Sequence, residues 1–326
     1  MTGNQALQRD LGHGGSAHTG QNSAIRAELV GGLLSHNASI HAKYFYDALG
    51  SKLFEAIGLL DEYDLGRAEA GIFAADAQHI TAAAGVDRVF IDLGAGNCAK
   101  ASSLFATLKP SHYVAVDIAA DFLTEAVNRL QAEHPEIPMQ AVALDFSETF
   151  SLPTAVPAAR RLFFYPGSSI GNFTPLQAVQ FFGRVRAACG ADGAILVGVD
   201  LVKDAARLEA AYDDPLGVTA AFNLNILRHV NRLIGTDFIP TQWRHVALFN
   251  ADQSRIEMHL EARCALRVTW PGGQRAFAAG ARIHTENSYK YTQAGFISLL
   301  GQAGFSRTQC WTDAQNQFLV CYAKAN

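Results

Sequence analysis

The sequence predicts an α/β protein with a Rossmann-like domain and a discontinuous second domain of α+β type. Three observations predict it: short apolar runs alternating with amphipathic segments from Arg88 onward, a glycine-rich turn directly after the first run, and two stretches that break the rhythm. Arg88–Leu93 is the first buried strand, followed by the turn and a helical stretch from Ala101 to Leu108. Tyr113–Val116 is the second strand, and Ala119–His134 a helix. Met139–Leu144 and Leu162–Tyr165 are the third and fourth strands, Pro175–Cys189 is a helix, and Ala194–Val199 is the fifth strand. Uninterrupted apolar strands between amphipathic helices are the pattern of a parallel sheet covered on both faces.

The rest of the chain divides around that unit. Ser254–Leu260 and Leu266–Trp270 alternate as antiparallel strands do, while Thr292–Ala303 and Gln317–Tyr322 read as a helix and a strand that complete the large sheet. The expected division is a Rossmann-like domain of residues 67–202 plus 292–326 and a second, substrate-binding domain of residues 22–66 plus 203–291. Residues 1–21, rich in Gly, Ser and His between Gly12 and Gly20, are expected to form a flexible leader.

Hydrophobic residues make up 49% of the 326 and charged ones 17%, enough apolar surface for a large core. A formal charge of -4 without any Lys/Arg run argues against nucleic-acid and membrane-surface partners and points to a small-molecule substrate. No stretch is apolar for long enough to span a bilayer, and the N-terminus lacks a signal-peptide core. The five cysteines are scattered and none stands in a CxxC pair, which fits a reducing cytoplasm. With no ligand spacing among the histidines either, no metal site is expected.

Asp92-Leu-Gly-Ala-Gly-Asn-Cys-Ala-Lys100 marks a nucleotide site. Gly94 permits the tight turn and Gly96 lets a ligand approach the backbone. Asp117, 21 residues after Gly96 at the end of the next strand, is placed to accept both hydroxyls of a ribose. Ala99 also satisfies a dinucleotide fingerprint, so the turn alone leaves NAD and S-adenosylmethionine open. Two features favour adenosylmethionine. Asp145-Phe146, after the third strand, offers a carboxylate and a ring for an adenine. Asp92 suits the amino acid end of adenosylmethionine, whereas it would repel a pyrophosphate.

Further motifs carry a more specific likeness. Tyr165-Pro-Gly-Ser-Ser-Ile-Gly-Asn-Phe173, Val199–Asp204, Ala211–Asp214, Gly217–Asn223, Arg255–His259 and Thr285-Glu-Asn-Ser288 occur in this order. Upstream stand Lys43-Tyr-Phe-Tyr-Asp47, Gly50–Phe54 and Glu62-Tyr63. From about Ala42 to Phe318 the chain resembles the histidine-specific Nα-methyltransferases of ergothioneine biosynthesis. The resemblance implies a class I methyltransferase domain with a discontinuous substrate domain, and trimethylation of the α-amine of L-histidine to hercynine at the expense of adenosylmethionine. It implies that Tyr63, Asn172 and Tyr212 hold the amino and carboxylate groups, with Phe54, Gly167 and Ser169 nearby. Glu286 and Ser288 would bind the imidazole and Met258 pack beside it. Asp92, Gly94, Gly96, Lys100, Asp117, Asp145 and Phe146 would bind the cofactor.

Taken alone, Glu286 also reads as a solvated strand residue, Met258 as core packing and Asn172 as a turn residue. The chain departs from the family pattern in places. Glu62-Tyr63 runs into Asp64-Leu-Gly-Arg67 where the family continues with Tyr and then Pro-Thr-Arg. Tyr165-Pro166 replaces an apolar pair, Ser169 a Thr, and Asp92 a Glu. Because the altered loop borders the amine pocket, another amino acid or a histidine derivative is the alternative substrate.

Overall fold

A computed structural model describes residues 15–146 and 150–326. The chain begins with helices α1 (Gly15–Leu34), α2 (Ala48–Ile57), α3 (Leu65–Ala75) and α4 (Ala77–Ala84). The doubly wound part follows: β1 (Val89–Leu93), the short helices α5 (Ala99–Ser102) and α6 (Phe105–Leu108), β2 (His112–Asp117), α7 (Ala120–Glu133), β3 (Met139–Ala143), β4 (Arg161–Tyr165), α8 (Pro175–Ala188) and β5 (Ala194–Asp200). Helices α9 (Ala205–Ala210) and α10 (Val218–Ile234) lead to β6 (Trp243–Asn250), β7 (Arg255–Ala262), β8 (Leu266–Trp270), β9 (Gly273–Phe277) and β10 (Arg282–Tyr289). The chain closes with α11 (Gln293–Gln302), β11 (Phe305–Thr312) and β12 (Phe318–Ala325).

Seven strands form one sheet in the order β11-β12-β5-β4-β1-β2-β3. β12 alone runs opposite in direction to the other six strands, pairing antiparallel with β11 and β5. Every residue of β1 and β5 is buried, because helices cover both faces of the sheet. The strand order reverses at β1, between β2 on one side and β4 on the other, so the crevice beyond its carboxyl end is where an open α/β sheet binds ligands.

A second apolar core draws on Leu29 to Leu60 and on Leu208 to Ile283. Phe222 of α10 stacks on Phe45 with ring centroids 4.5 Å apart, and Trp243 meets Phe277 edge-on at 5.0 Å. Strands β10-β7-β6 form its three-stranded antiparallel sheet, and β8-β9 a hairpin. Leu65 and Tyr289 already pack into the cores that flank the large sheet.

Several expectations change. The expected leader lies outside the described residues up to residue 14, but α1 begins at Gly15, so its last part is helical. Leu29 and Leu33, four residues apart and both buried, seat that helix in the second core, and the helix extends backward from them. The single helix expected over 101–108 is two short ones, interrupted at Ser103-Leu104. Strands β6, β9 and β11 have no clear alternation and do not announce themselves in the sequence.

Candidate active site

A cavity of about 1110 Å³ opens between the carboxyl edge of the large sheet and the second unit. On the sheet side, Asp92, Gly94, Gly96, Lys100, Asp117, Asp145 and Phe146 all line it. Gly167, Ser169 and Asn172 line it from the loop after β4, and Phe54, Tyr63 and Glu286 from the second unit. Three of the expected residues do not reach the wall: Tyr212, Met258 and Ser288. Met258 stands opposite Glu286 in the β7–β10 ladder and is buried in the second core. Tyr212 and Ser288 lie one layer deeper, bonded to each other.

The turn after β1 is held open by its neighbours. Gly94 and Gly96 adopt φ of 71° and 53°, conformations that cost a side-chain-bearing residue about 1–2 kcal/mol. Gly94 N–H and Ala95 N–H both donate to Val116 O, at 2.9 and 3.1 Å. Asp117 accepts from Gly96 N–H through one oxygen and from Ala119 N–H through the other, each at 3.0 Å. Each carboxylate oxygen has two acceptor sites, so Asp117 retains capacity for a ligand's hydroxyls while bracing the turn. A Cβ on Gly94 would lie 4.0 Å from Phe146, which places that ring beside the turn.

Asp92 is buried, and Tyr113 Oη donates to its Oδ2 at 2.8 Å. Its Oδ1 has no partner among the described residues. Burial pushes this carboxyl up to about 7, against the Tyr113 hydrogen bond. An unsatisfied buried carboxylate oxygen at a cavity wall fits a cationic ligand group and opposes an anionic one.

Glu69 of α3 is a site residue that sequence reasoning misses. It is 1% exposed and accepts from Lys100 Nζ at 2.7 Å and from the Gly167 N–H at 2.8 Å. It thereby ties the helix after the glycine turn to the loop after β4. A Cβ on Gly198 would stand 2.0 Å from its carboxylate, so a glycine inside the all-buried β5 is the available signal of a close approach.

Aromatic rings form the opposite wall. Phe54 lies edge-on to Tyr46 at 5.6 Å and to Tyr63 at 6.5 Å, and Tyr63 meets Tyr212 at 6.0 Å. Tyr46 is a second residue that the sequence does not single out, although it lines the cavity. Burial raises the Tyr46 and Tyr63 phenols well above their ordinary value, so both stay protonated at neutral pH. The altered stretch after Tyr63, expected as a loop, is instead the start of α3, with Asp64 at its N-cap position and Leu65–Arg67 in its first turn. Arg67 donates to the carbonyls of Leu60 and Asp61, at 2.9 and 2.7 Å, and Asp64 pairs with Arg207.

Glu286 follows an irregularity in the β10–β7 register between His284 and Glu286. It is buried at the cavity wall, and burial raises its carboxyl to about 7 against the pull of Lys290. Behind it, Lys290 and Lys203 flank Asp200 at 2.8 and 2.7 Å, all three buried side chains. Nothing in the sequence singles out Lys290. Among the described residues, no group of three His, Cys, Asp or Glu is arranged to hold a metal, and no helix is long and apolar enough to cross a membrane.

The strand order with its one antiparallel strand, the glycine turn, three strand-end carboxylates and Phe146 define a class I methyltransferase that uses S-adenosylmethionine. The profile of the family described as histidine-specific, SAM-dependent methyltransferases matches residues 25–325, and the chain belongs to that family. It is 38% identical to a histidine N-alpha-methyltransferase of Mycolicibacterium smegmatis over 302 residues, covering 90% of this chain and 93% of that one. It is 37% identical to the protein of the same description from Mycobacterium tuberculosis, covering 92% and 96%. Among solved structures it is similar to an S-adenosylmethionine-dependent methyltransferase from Clostridium acetobutylicum, with a TM-score of 0.42, 11% identity and coverage of 95% and 99%.

Proposed function

We propose that the protein transfers three methyl groups from S-adenosylmethionine to the α-amine of L-histidine, giving hercynine for ergothioneine synthesis in the cytoplasm. The observation that carries this reading is Glu286: a buried carboxylate across the cavity from the glycine turn, placed to accept an imidazole N–H. The unit built from residues 22–66 and 203–291 supplies it and is the substrate domain.

On the cofactor side, Asp92 takes the ammonium group, Asp117 the ribose hydroxyls, and Asp145 with Phe146 the adenine, while Lys100 faces the carboxylate. Gly94 and Gly96 leave their backbone open to it. When bound, adenosylmethionine supplies an electrophilic methyl group on a sulfonium centre. What the chain's own residues do is orient a neutral amine and keep water from it. The Asn172 amide oxygen accepts from the amine, and its nitrogen donates to the carboxylate. Tyr63 holds the same end of the substrate, with Tyr212 behind it, Ser169 and Gly167 shape the loop, and Met258 supports Glu286 from across the ladder. Each transfer would form an N–C bond as the methyl–sulfur bond breaks, with S-adenosylhomocysteine leaving. The first and second products must each release a proton to solvent before the next transfer, and the third is a fixed cation. The faces of Tyr46, Phe54 and Tyr63 each stabilise such a cation by about 0.5–2 kcal/mol.

Selectivity follows from the cost of an unpaired buried carboxylate. A side chain without an N–H leaves Glu286 unsatisfied, and sites of this kind discriminate by large factors. The test is a panel of amino acids, each incubated with protein and adenosylmethionine and ranked by kcat/KM. Histidine is expected first. A preference for another amino acid would assign the altered start of α3, Asp64 to Arg67, to a different substrate.

A further inference from the structure

Cys310 and Cys321 are 11 positions apart in the sequence, a spacing that marks neither a metal site nor a redox motif. The sheet brings them together. Strands β11 and β12 run antiparallel, and their register sets Cys310 directly opposite Cys321. Directly opposed residues of such a pair have Cα atoms about 4.5 or 5.5 Å apart, both inside the roughly 4.4–6.8 Å window that a disulfide spans. Both side chains lie on the face of the sheet covered by α8 and α11, in the same core as Phe181 and Phe296. Their sulfurs are 3.1 Å apart, and both are free thiols.

The two thiols differ in ways that suit separate roles. β11 is the edge strand of the seven, and Cys310 is partly exposed there, whereas Cys321 is fully buried. The hydrogen bond from Cys321 lowers the Cys310 thiol against the effect of burial, and the same bond, together with burial, raises Cys321. A thiolate at Cys310 is therefore reachable from solvent and stabilised by its neighbour, while the Cys321 thiol keeps its proton. Elsewhere burial pushes Cys98 up to about 11 and Cys189 up to about 12, which leaves both as unreactive thiols.

We propose that Cys310 and Cys321 form a reversible oxidation site for peroxides, separate from the methyl-transfer site, with Cys310 as the attacking thiol and Cys321 as the resolving one. The Cys310 thiolate attacks a peroxide oxygen. The S–O bond forms as the O–O bond breaks, and the departing hydroxide leaves as water with the proton that Cys310 had lost. The Cys321 sulfur then attacks Cys310: the S–S bond forms, the S–O bond breaks, and the hydroxyl leaves as a second water with the Cys321 proton. In all, two thiols are oxidised to one disulfide and one hydrogen peroxide is reduced to two waters. A small-molecule dithiol reverses the step by exchange. The product is a cross-strand disulfide that pins the edge strand β11 to β12.

Trypsin cuts after Arg307 and Lys324 and nowhere between, so one peptide, Thr308–Lys324, carries both cysteines. Wild type is treated with a few equivalents of hydrogen peroxide, the remaining thiols are blocked, and that peptide is weighed. It should lose two hydrogens, escape the blocking reagent, and regain both thiols with dithiothreitol. The oxidised protein should melt about 4 °C above the reduced one, the effect of closing so short a loop in a chain of this size. Its affinity for adenosylmethionine by titration calorimetry should stay within about twofold, since among the described residues none from β11 or β12 lines the cavity. Cys310→Ala should abolish the loss of two hydrogens, and Cys321→Ala should replace it by a gain of oxygen at Cys310. A wild-type Cys310 carried to sulfinic acid while Cys321 stays a free thiol would overturn the proposal, as would a disulfide joining two protein molecules through Cys310. So would a cofactor affinity that falls in step with the disulfide. These wild-type readings decide the matter whether or not either variant folds.

Discussion

Replacing Glu286 by Gln should stabilise the ligand-free protein, and only at higher pH. The carboxyl is held at about 7 against an ordinary 4.5, a difference worth about 3 kcal/mol at roughly 1.4 kcal/mol per pH unit. The folded-state value is the higher one, so the folded protein binds this proton more tightly than the unfolded chain. Stability is full below about pH 4.5, falls as pH rises through 7, and is flat above. The amide that replaces the carboxyl has no such proton to lose. The stability of Glu286→Gln relative to wild type should therefore rise from a baseline at about pH 4 to about 3 kcal/mol above that baseline at about pH 8. Asp92, also raised to about 7, is present in both proteins and cancels from the difference. Urea unfolding of both proteins across that pH range measures it, with kcat/KM for histidine read in parallel. The amide oxygen still accepts an N–H but without charge, so kcat/KM should drop about tenfold or more. A stability difference that does not change with pH, or one that favours wild type more at the alkaline end than at the acid end, would refute the reasoning.

Glu69→Ala removes the acceptor of the Gly167 N–H and the partner of Lys100, and should cost about 2–4 kcal/mol of stability, discounted for the half-exposed lysine. Gly198→Ala should reproduce much of that loss by displacing the Glu69 carboxylate; melting curves of both variants check it. Asp117→Ala leaves the Gly96 and Ala119 N–H groups without their acceptor and should weaken adenosylmethionine about 10- to 100-fold by titration calorimetry. An unchanged affinity there would remove Asp117 from the cofactor site.

The parts of the molecule legible in the sequence are those fixed by local pattern. Strands such as β5 announce themselves as unbroken apolar runs, and Gly94, Gly96, Asp117 and Asp145 fall at strand ends that the alternation locates. The residues that escape reading depend on long-range contacts. Glu69 acts on Lys100 and Gly167, 31 and 98 positions away. Lys290 acts on Tyr212, 78 positions earlier. Neither separation leaves a periodic trace. Tyr212 and Ser288 stand out by resemblance, yet which layer of the wall they occupy depends on packing: the ammonium of Lys290 draws both hydroxyls inward. The irregular register before Glu286 similarly re-aims one side chain in a way that strict alternation does not anticipate.

The most direct test is where the methyl groups go. Purified protein given adenosylmethionine in excess over L-histidine yields a product whose methylation can be counted by mass spectrometry and placed by NMR. A ring held against Glu286 with the amine toward the glycine turn predicts three methyl groups, all on the α-nitrogen. A ring-methylated product, or an unreacted histidine, would contradict it.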